Sequence, residues 1–399
     1  MIGAIILIVL LYAVTMPILG SLKSKLPWLP LKLMKQLYWY HTLFALVYYV
    51  FTIFSRSDSV SYYHNSLAYP HWFAAYTTGT RFIHFLAYPF TNYLFFTYEM
   101  MMVLFAWTGY WGFVYFYIVF KENLKFKHKL YGYDLLTLFV FLPNMHFWTA
   151  SLGKGSFIFF GIAMTMYGLS NLAKRKTALI LGLIIVYHIR PHIFLFMAVG
   201  ILLGIFTGKQ KIPFYQKFLV FAGSAAALVL MYDSIIAFVG LDQDNLLESF
   251  NKFSSNRASE LAKAGSGIDT SNYPLPLKLV TFWFRPLFID SPNFIGLIVS
   301  VENVLYVLLT WKLFDRKFWG YLKASPVLVK TSAVSFLATS FALSGTLSNL
   351  GIIIRQKSMV MYFLLFVIIC FMDYKKNLQF ERKKRLMERN AAAQEMQPA

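Results

Sequence analysis

The chain has 399 residues, 58% of them hydrophobic, 19% aromatic and only 14% charged, and its mean hydropathy is +0.57. Soluble domains carry about 25% charged residues, so an ordinary soluble, disulfide-stapled or disordered protein is excluded, and an all-α, polytopic membrane bundle is predicted. The formal net charge of +20 would suggest nucleic acid in a soluble protein, but here it lies in short basic blocks between apolar runs, so no nucleic-acid partner is expected.

Apolar runs near 1–20, 37–54, 98–120, 132–148, 155–172, 177–189, 193–208, 217–240, 294–313, 327–344 and 358–373 predict eleven spans. The basic blocks at 23–35, 121–129, 174–176, 209–217, 316–330 and 375–389 then all fall on one side, which the positive-inside rule makes cytoplasmic. The N-terminus is therefore expected outside and the C-terminus inside, in the plasma (inner) membrane. Residues 1–20 lack a basic leader and read as a retained first span. One transmembrane domain is expected over 1–373, with outer loops at 55–97 and 241–293, followed by a partly disordered basic tail at 374–399. The interrupted stretch 279–289 reads as interfacial or re-entrant. Cys370, the single cysteine, can form no internal disulfide and excludes a Cys-based zinc site. No GxxxxGK[ST] phosphate loop marks a nucleotide-driven machine.

The outer loops carry the chemistry. The first begins Ser55-Arg56-Ser57-Asp58-Ser59-Val60-Ser61-Tyr62-Tyr63, and Asp58 is its only carboxylate before Glu99. Held close to a rigid span, Asp58 suits a general base that activates a hydroxyl; the alternative is a helix-end carboxylate, helped by Ser57 and Ser59. The second outer turn, 143–155, holds His146 and Lys154. Lys154 lies between two glycines and so can approach an anion closely, while His146 either serves a phosphate or proton or belongs to an aromatic belt with Phe147 and Trp148.

The third turn, His188-Ile189-Arg190-Pro191-His192, joins apolar runs of only about 12 to 16 residues and should be recessed. An arginine near the bilayer centre costs about 2.5–3.5 kcal/mol on insertion scales, so Arg190 should face a wet cavity or an anion, which its planar fork can hold bidentately. His188 and His192 are spaced like a helical metal pair, but Pro191 interrupts them and no third ligand is evident, so no metal site is expected. Arg285 precedes Pro286 in an apolar segment, and Arg355 and Lys357 lead into the last span. Lys154, Arg190, Arg285, Arg355 and Lys357 thus come from four turns on one face, as binding of phosphate or pyrophosphate at the membrane surface requires. Glu99, Asp233 and Glu302 fall within spans and read as partners for the outer-face arginines or as proton-relay groups. The loop 241–278, mixed in charge and rich in Ser, Asn and Gly, suits a lid or an acceptor-binding loop.

The order of Asp-Ser-x-x-Tyr-Tyr, Pro-Asn-x-His-Phe-Trp-x-x-x-x-Gly-Lys, Arg-Pro-His, Phe-Arg-Pro and Asn-Leu-Gly-x-x-x-Arg resembles polytopic envelope-glycan enzymes, the C-type membrane glycosyltransferases and the related Wzy-like and EpsG-like polysaccharide polymerases. The resemblance implies that Asp58 acts as catalytic base or orients the acceptor. It implies that Lys154, Arg190, Arg285 and Arg355, joined by His192 and Lys357, hold a polyprenyl phosphate or pyrophosphate, with Glu99, His146 and Glu302 as orienting or acid/base groups. The partners implied are a lipid-linked glycan, a glycan or lipid acceptor, and membrane lipids. The family often has two acids in its first outer loop, whereas Asp58 is flanked by serines, which argues against a divalent metal at Asp58; no cofactor is expected. A transporter or flippase of lipid-linked glycan, or a non-catalytic component of an envelope machine, is the alternative.

Overall fold

A long apolar segment satisfies its backbone most simply as helix, because the hydrogen bonds then close within the segment. The computed structural model describes residues 1–209, most of 213–229, 273–291, 293–346 and 349–395, and it is helical almost throughout. In chain order α1 (Ile2–Lys25) and α2 (Leu31–Phe54) are followed by two short helices, α3 (Asp58–Leu67) and α4 (Thr80–Tyr88), and then by α5 (Tyr98–Glu122). A small antiparallel hairpin of β1 (Lys129–Leu130) and β2 (Tyr133–Asp134) turns through Tyr131 and Gly132, both at positive φ. After it come α6 (Leu135–Val140), α7 (Pro143–Thr149), α8 (Lys154–Ser170), α9 (Lys176–Ile189) and α10 (Pro191–Thr207). The later helices are α11 (Leu275–Phe284), α12 (Phe294–Thr310), α13 (Lys317–Ala324), α14 (Val327–Thr346), α15 (Leu350–Gln356) and α16 (Met361–Glu395).

Among the described residues five helices, α1, α2, α5, α12 taken with the helical turn that continues it to Phe314, and α14, are long and apolar enough to cross a membrane. A sixth is added if α15 and α16, bent by 56° at a short break, are counted as one span. The expected span at 132–148 is interrupted: it opens with the hairpin, and Pro143, which has no N–H to continue the preceding helix, separates α6 from α7. In the tail, α16 runs on through the basic residues to Glu395. The expected span 217–240 and loop 241–278 lie largely, and Asp233 entirely, outside the described residues.

α5 is the axis of the packing and is buried along most of its length, against α2 on one side and α8 on another. Small residues allow the closest approaches. A Cβ at Gly182 of α9 would stand 2.6 Å from the Thr165 nitrogen of α8, and one at Gly200 of α10 would stand 2.2 Å from Ser335 Oγ of α14. α1 and α2 turn Ile5, Ile6, Val9, Leu43 and Leu46 outward, an apolar surface of the kind that lipid covers.

Candidate functional site

Asp58 is placed by a web of hydroxyls. α2 ends at Phe54, Ser55 is extended, and Ser57 caps α3 by accepting a hydrogen bond from the Ser59 backbone N–H at 3.3 Å. Ser57 Oγ lies 3.1 Å from the Tyr48 hydroxyl and 2.9 Å from Ser59 Oγ, and Ser59 Oγ lies 2.6 Å from the Tyr98 hydroxyl. These bonds fasten the start of α3 to α2 and α5. With Ser57 serving as cap, Asp58 is left as the first helical residue, where the helix dipole favours its carboxylate. Its side chain is 58% exposed and stands in the wall of a hollow of about 640 Å³ bounded by residues of the segment 52–61.

Arg355 meets Asp58 from the other end of the chain, with Nη1 2.7 Å from Oδ2. α15 presents it: Asn349 caps that helix by accepting from the Ile352 N–H at 3.1 Å, and the guanidinium lies 5.9 Å from the ring centre of Trp148. Arg355 also acts on the hydroxyl of Tyr62, whose proton is held more tightly than usual chiefly because the residue is buried, with Arg355 opposing that effect. Arg190, between α9 and α10, repels Arg355 and is drawn to Asp58 and Tyr62. Burial and then Arg355 push Arg190 down to about 10, and its Nε is buried without a hydrogen-bond partner. Lys154, at the head of α8, joins the group: burial first, then Arg190 and Arg355, push it down to about 8, while Asp58 pulls the other way. His192 is within reach of the charges of both Arg190 and Lys154.

Five residues singled out from sequence, Asp58, Lys154, Arg190, His192 and Arg355, therefore converge. Three cations share one carboxylate, and that surplus of positive charge is the electrostatic signature of an anion site. The glycines beside Lys154 serve packing instead of access. A Cβ at Gly155 would stand 2.1 Å from the Trp148 carbonyl oxygen, and one at Gly153 would stand 3.2 Å from the Tyr62 ring.

The other expected residues stand elsewhere. Arg285 pairs with Asp290 through its Nε. Lys357 is fully buried and donates to the Arg285 carbonyl at 2.8 Å and to Asn303 Oδ1 at 2.6 Å. Glu302, also buried, accepts from the Asn144 N–H at 2.6 Å and the Tyr306 hydroxyl at 3.2 Å. Asn144 Nδ2 in turn donates to the Ile354 carbonyl at 3.3 Å. This second network braces α15 from behind, so Arg285 and Lys357 are framework for Arg355 and do not join its cluster. The neighbouring charge for Glu302 is Lys357, where an outer-face arginine was expected.

His146 is a core residue. It is fully buried, its ring stacks on Phe113 at 3.9 Å, and its Nε2 lies 2.8 Å from the Val140 carbonyl. A carbonyl can only accept, so the proton is on Nε2; Nδ1 is then bare and takes the Nδ1–H of His41 at 2.8 Å. Glu99 accepts from the Tyr49 hydroxyl at 3.3 Å and lies 4.0 Å from the Met1 amino group, at one end of an apolar groove between α1, α2 and α5. Both nitrogens of His188 are engaged, Nδ1 with the Ile184 carbonyl at 2.9 Å and Nε2 with the Tyr76 hydroxyl at 3.0 Å.

Sequence reasoning missed Tyr62 and His84. Tyr62 stands in a quoted motif, yet nothing in its spacing says that it will meet Arg355. His84 of α4 packs its ring 5.8 Å from that of Tyr62 and bonds the Tyr69 hydroxyl at 3.1 Å. Burial, then Arg81 and Lys154, lower its pKa below the usual histidine range, so α4 adds a neutral ring beside the cations. No family model matches this chain, and neither a curated protein nor a solved structure shows significant similarity to it.

Proposed function

We propose that the protein is a membrane glycosyltransferase or polysaccharide polymerase. It moves a sugar or oligosaccharide from a polyprenyl phosphate or pyrophosphate to an acceptor hydroxyl on the outer face of the membrane. This scheme keeps the eleven crossings expected from sequence: α1, α2, α5, α12 and α14, the α15–α16 pair, the broken α6–α7 segment, α8, α9 and α10, with the apolar run 217–240, largely outside the described residues, as the eleventh. The N-terminus and the Asp58 cluster are then outside and α16 ends in the cytoplasm.

The observation that carries the proposal is the meeting of Asp58 with Arg355, Arg190 and Lys154 on four separate segments of the chain. Donor phosphate exchanges with Asp58 at the Arg355 fork and is held also by Arg190 and Lys154. The freed Asp58 carboxylate takes the acceptor hydroxyl proton as the oxygen attacks the anomeric carbon. The bond from that carbon to the phosphate oxygen breaks, the oxygen keeps the electron pair, and the cations stabilise the charge that develops there. Lys357, Glu302 and Asn144 take no part beyond holding α15.

The test is mass spectrometry of lipid-linked and surface glycans from cells lacking the protein, complemented with wild type or with Asp58→Asn. A truncated or unpolymerised glycan that only wild type corrects is expected. Full correction by Asp58→Asn would reduce Asp58 to a loop residue, and glycans that never change would favour transport or a scaffold.

A further inference from the structure

The end of the bundle remote from Asp58 has a basic cavity of its own. Tyr98, at the start of α5, bonds Ser59 beside Asp58; Lys121, near the end of the same helix, is roughly 35 Å away at 1.5 Å per residue. There the start of α2, the end of α5, the β1–β2 hairpin and Ile369 of α16 enclose about 410 Å³. Lys121, Lys127 and Lys129 line it, the first half-buried and the other two exposed. None of the ion pairs among the described residues uses them.

The nearby acids have other partners. Asp134, which also lines the cavity, accepts from the Thr137 N–H at 2.9 Å and hydroxyl at 2.8 Å through Oδ2, capping α6. Asp373 accepts from His128 Nε2 at 2.9 Å and from the backbone N–H groups of Lys125 and Phe126 at 3.1 and 2.9 Å. That contact pins the lysine-bearing loop to α16, so the cavity is built and held open by bonds that leave its lysines for another ligand. Lys376 adds a fourth cation at the edge by donating to the Lys127 carbonyl at 2.9 Å.

We infer that this cavity binds the phosphodiester headgroup of an anionic phospholipid. A soluble phosphate ester would satisfy the same lysines, but the surroundings select the lipid. Trp28 on the rim and Tyr131 and Tyr133 on the hairpin are exposed, as are Trp311, Phe314 and Trp319 around a turn that Asp315 ties to Lys375 of α16. Exposed aromatic residues at a helix-bundle end are characteristic of the headgroup region, where lysines also meet lipid phosphate.

The experiment uses the full-length protein, delipidated in neutral detergent, with thermal unfolding and native mass spectrometry as readouts. Phosphatidylglycerol should bind and raise the unfolding temperature, phosphatidylcholine should not, and added salt should weaken the effect. Each lysine changed to Gln should cost about fivefold in apparent affinity, so Lys121→Gln/Lys127→Gln/Lys129→Gln loses most of it. Arg382→Gln/Lys383→Gln/Lys384→Gln, on the distal part of α16, should keep it. Should the triple cavity variant not fold, Lys129→Gln alone carries the same expectation. Equal response to both lipids, wild-type affinity in the cavity variants, or equal loss in the distal variant would overturn the assignment. So would glycerol 3-phosphate acting as strongly as phosphatidylglycerol at the same concentration, since the ligand would then be a soluble anion.

Discussion

Arg355 and Asp58 are 297 positions apart in the chain, yet their side chains are joined at 2.7 Å. The bond closes the segment after α14 onto the segment after α2. With the carboxylate 58% and the guanidinium 29% exposed, solvent screens the pair and its contribution to stability is about 0–1 kcal/mol. Its value is therefore chemical. Asp58→Asn should unfold in detergent within a few degrees of wild type while transferring about 10²- to 10⁴-fold more slowly, the usual worth of a general base. Parallel thermal unfolding and glycan-transfer assays check both halves.

Arg190 offers a planar fork, and Lys in its place offers only a point charge. Arg190→Ala should weaken binding of a short-chain polyprenyl phosphate by on the order of 10- to 100-fold, the range for charged hydrogen bonds. Arg190→Lys should recover only part of that. A titration calorimeter reads the three proteins side by side, and equal affinities would remove Arg190 from the phosphate site.

On the proposed reading, Lys154 should make anion binding depend on pH. Pushed down to about 8 by burial and by Arg190 and Arg355, it is charged below that pH and neutral above it. Affinity for a phosphate should thus be full near pH 7 and decline as pH rises through about 8. Ionisation of the phosphate itself works in the opposite direction, so the sign is diagnostic. Lys154→Gln should flatten the decline, measured as Kd between pH 6.5 and 9.5, roughly spanning the titration.

Lys357 and Glu302 are both buried and feel each other's charge. Lys357→Met removes the cation that acts on Glu302 and leaves the Arg285 carbonyl and Asn303 Oδ1 without their donor, and should cost about 1–3 kcal/mol, whereas Lys357→Met with Glu302→Gln should regain part of the loss if the two charges are coupled. Denaturant unfolding of the four proteins gives the coupling energy. A coupling of zero would mean that Asn303, Asn144 and Tyr306 already satisfy the two groups separately.

The helical class was legible in composition, because a chain this apolar has few other ways to satisfy its backbone. Its breaks were less so: Pro143 was visible in sequence, yet the surrounding run is apolar enough to read as a continuous span. Within the site, Arg190 and Arg355 were marked by charge in apolar surroundings, a signal that survives without knowing the fold, while Asp58 was marked as the only carboxylate of its loop before Glu99 and Lys154 by its flanking glycines. The same signal flagged Arg285 and Lys357, and it could not tell them apart. Arg355 and Lys357 are two residues apart, but the break between α15 and α16 directs one to Asp58 and the other to Asn303. His146 looked reactive because its partner, His41, is 105 positions away.

Short helices flank Arg190. α9 has 14 residues and α10 has 17, about 21 and 26 Å long at 1.5 Å per residue, against a hydrocarbon thickness of about 30 Å. A bilayer bordering such helices thins to meet them. With α9 and α10 spanning the membrane as proposed, the leaflet surface around the Arg190 turn would dimple inward, so that neighbouring lipid phosphates ride lower and reach the guanidinium by sliding sideways, without leaving their leaflet. The elastic cost of that dimple grows with acyl-chain length. In reconstituted vesicles turnover should accordingly be graded by bilayer thickness, with thin membranes favouring entry of a lipid-borne donor and thick ones holding it away from the turn.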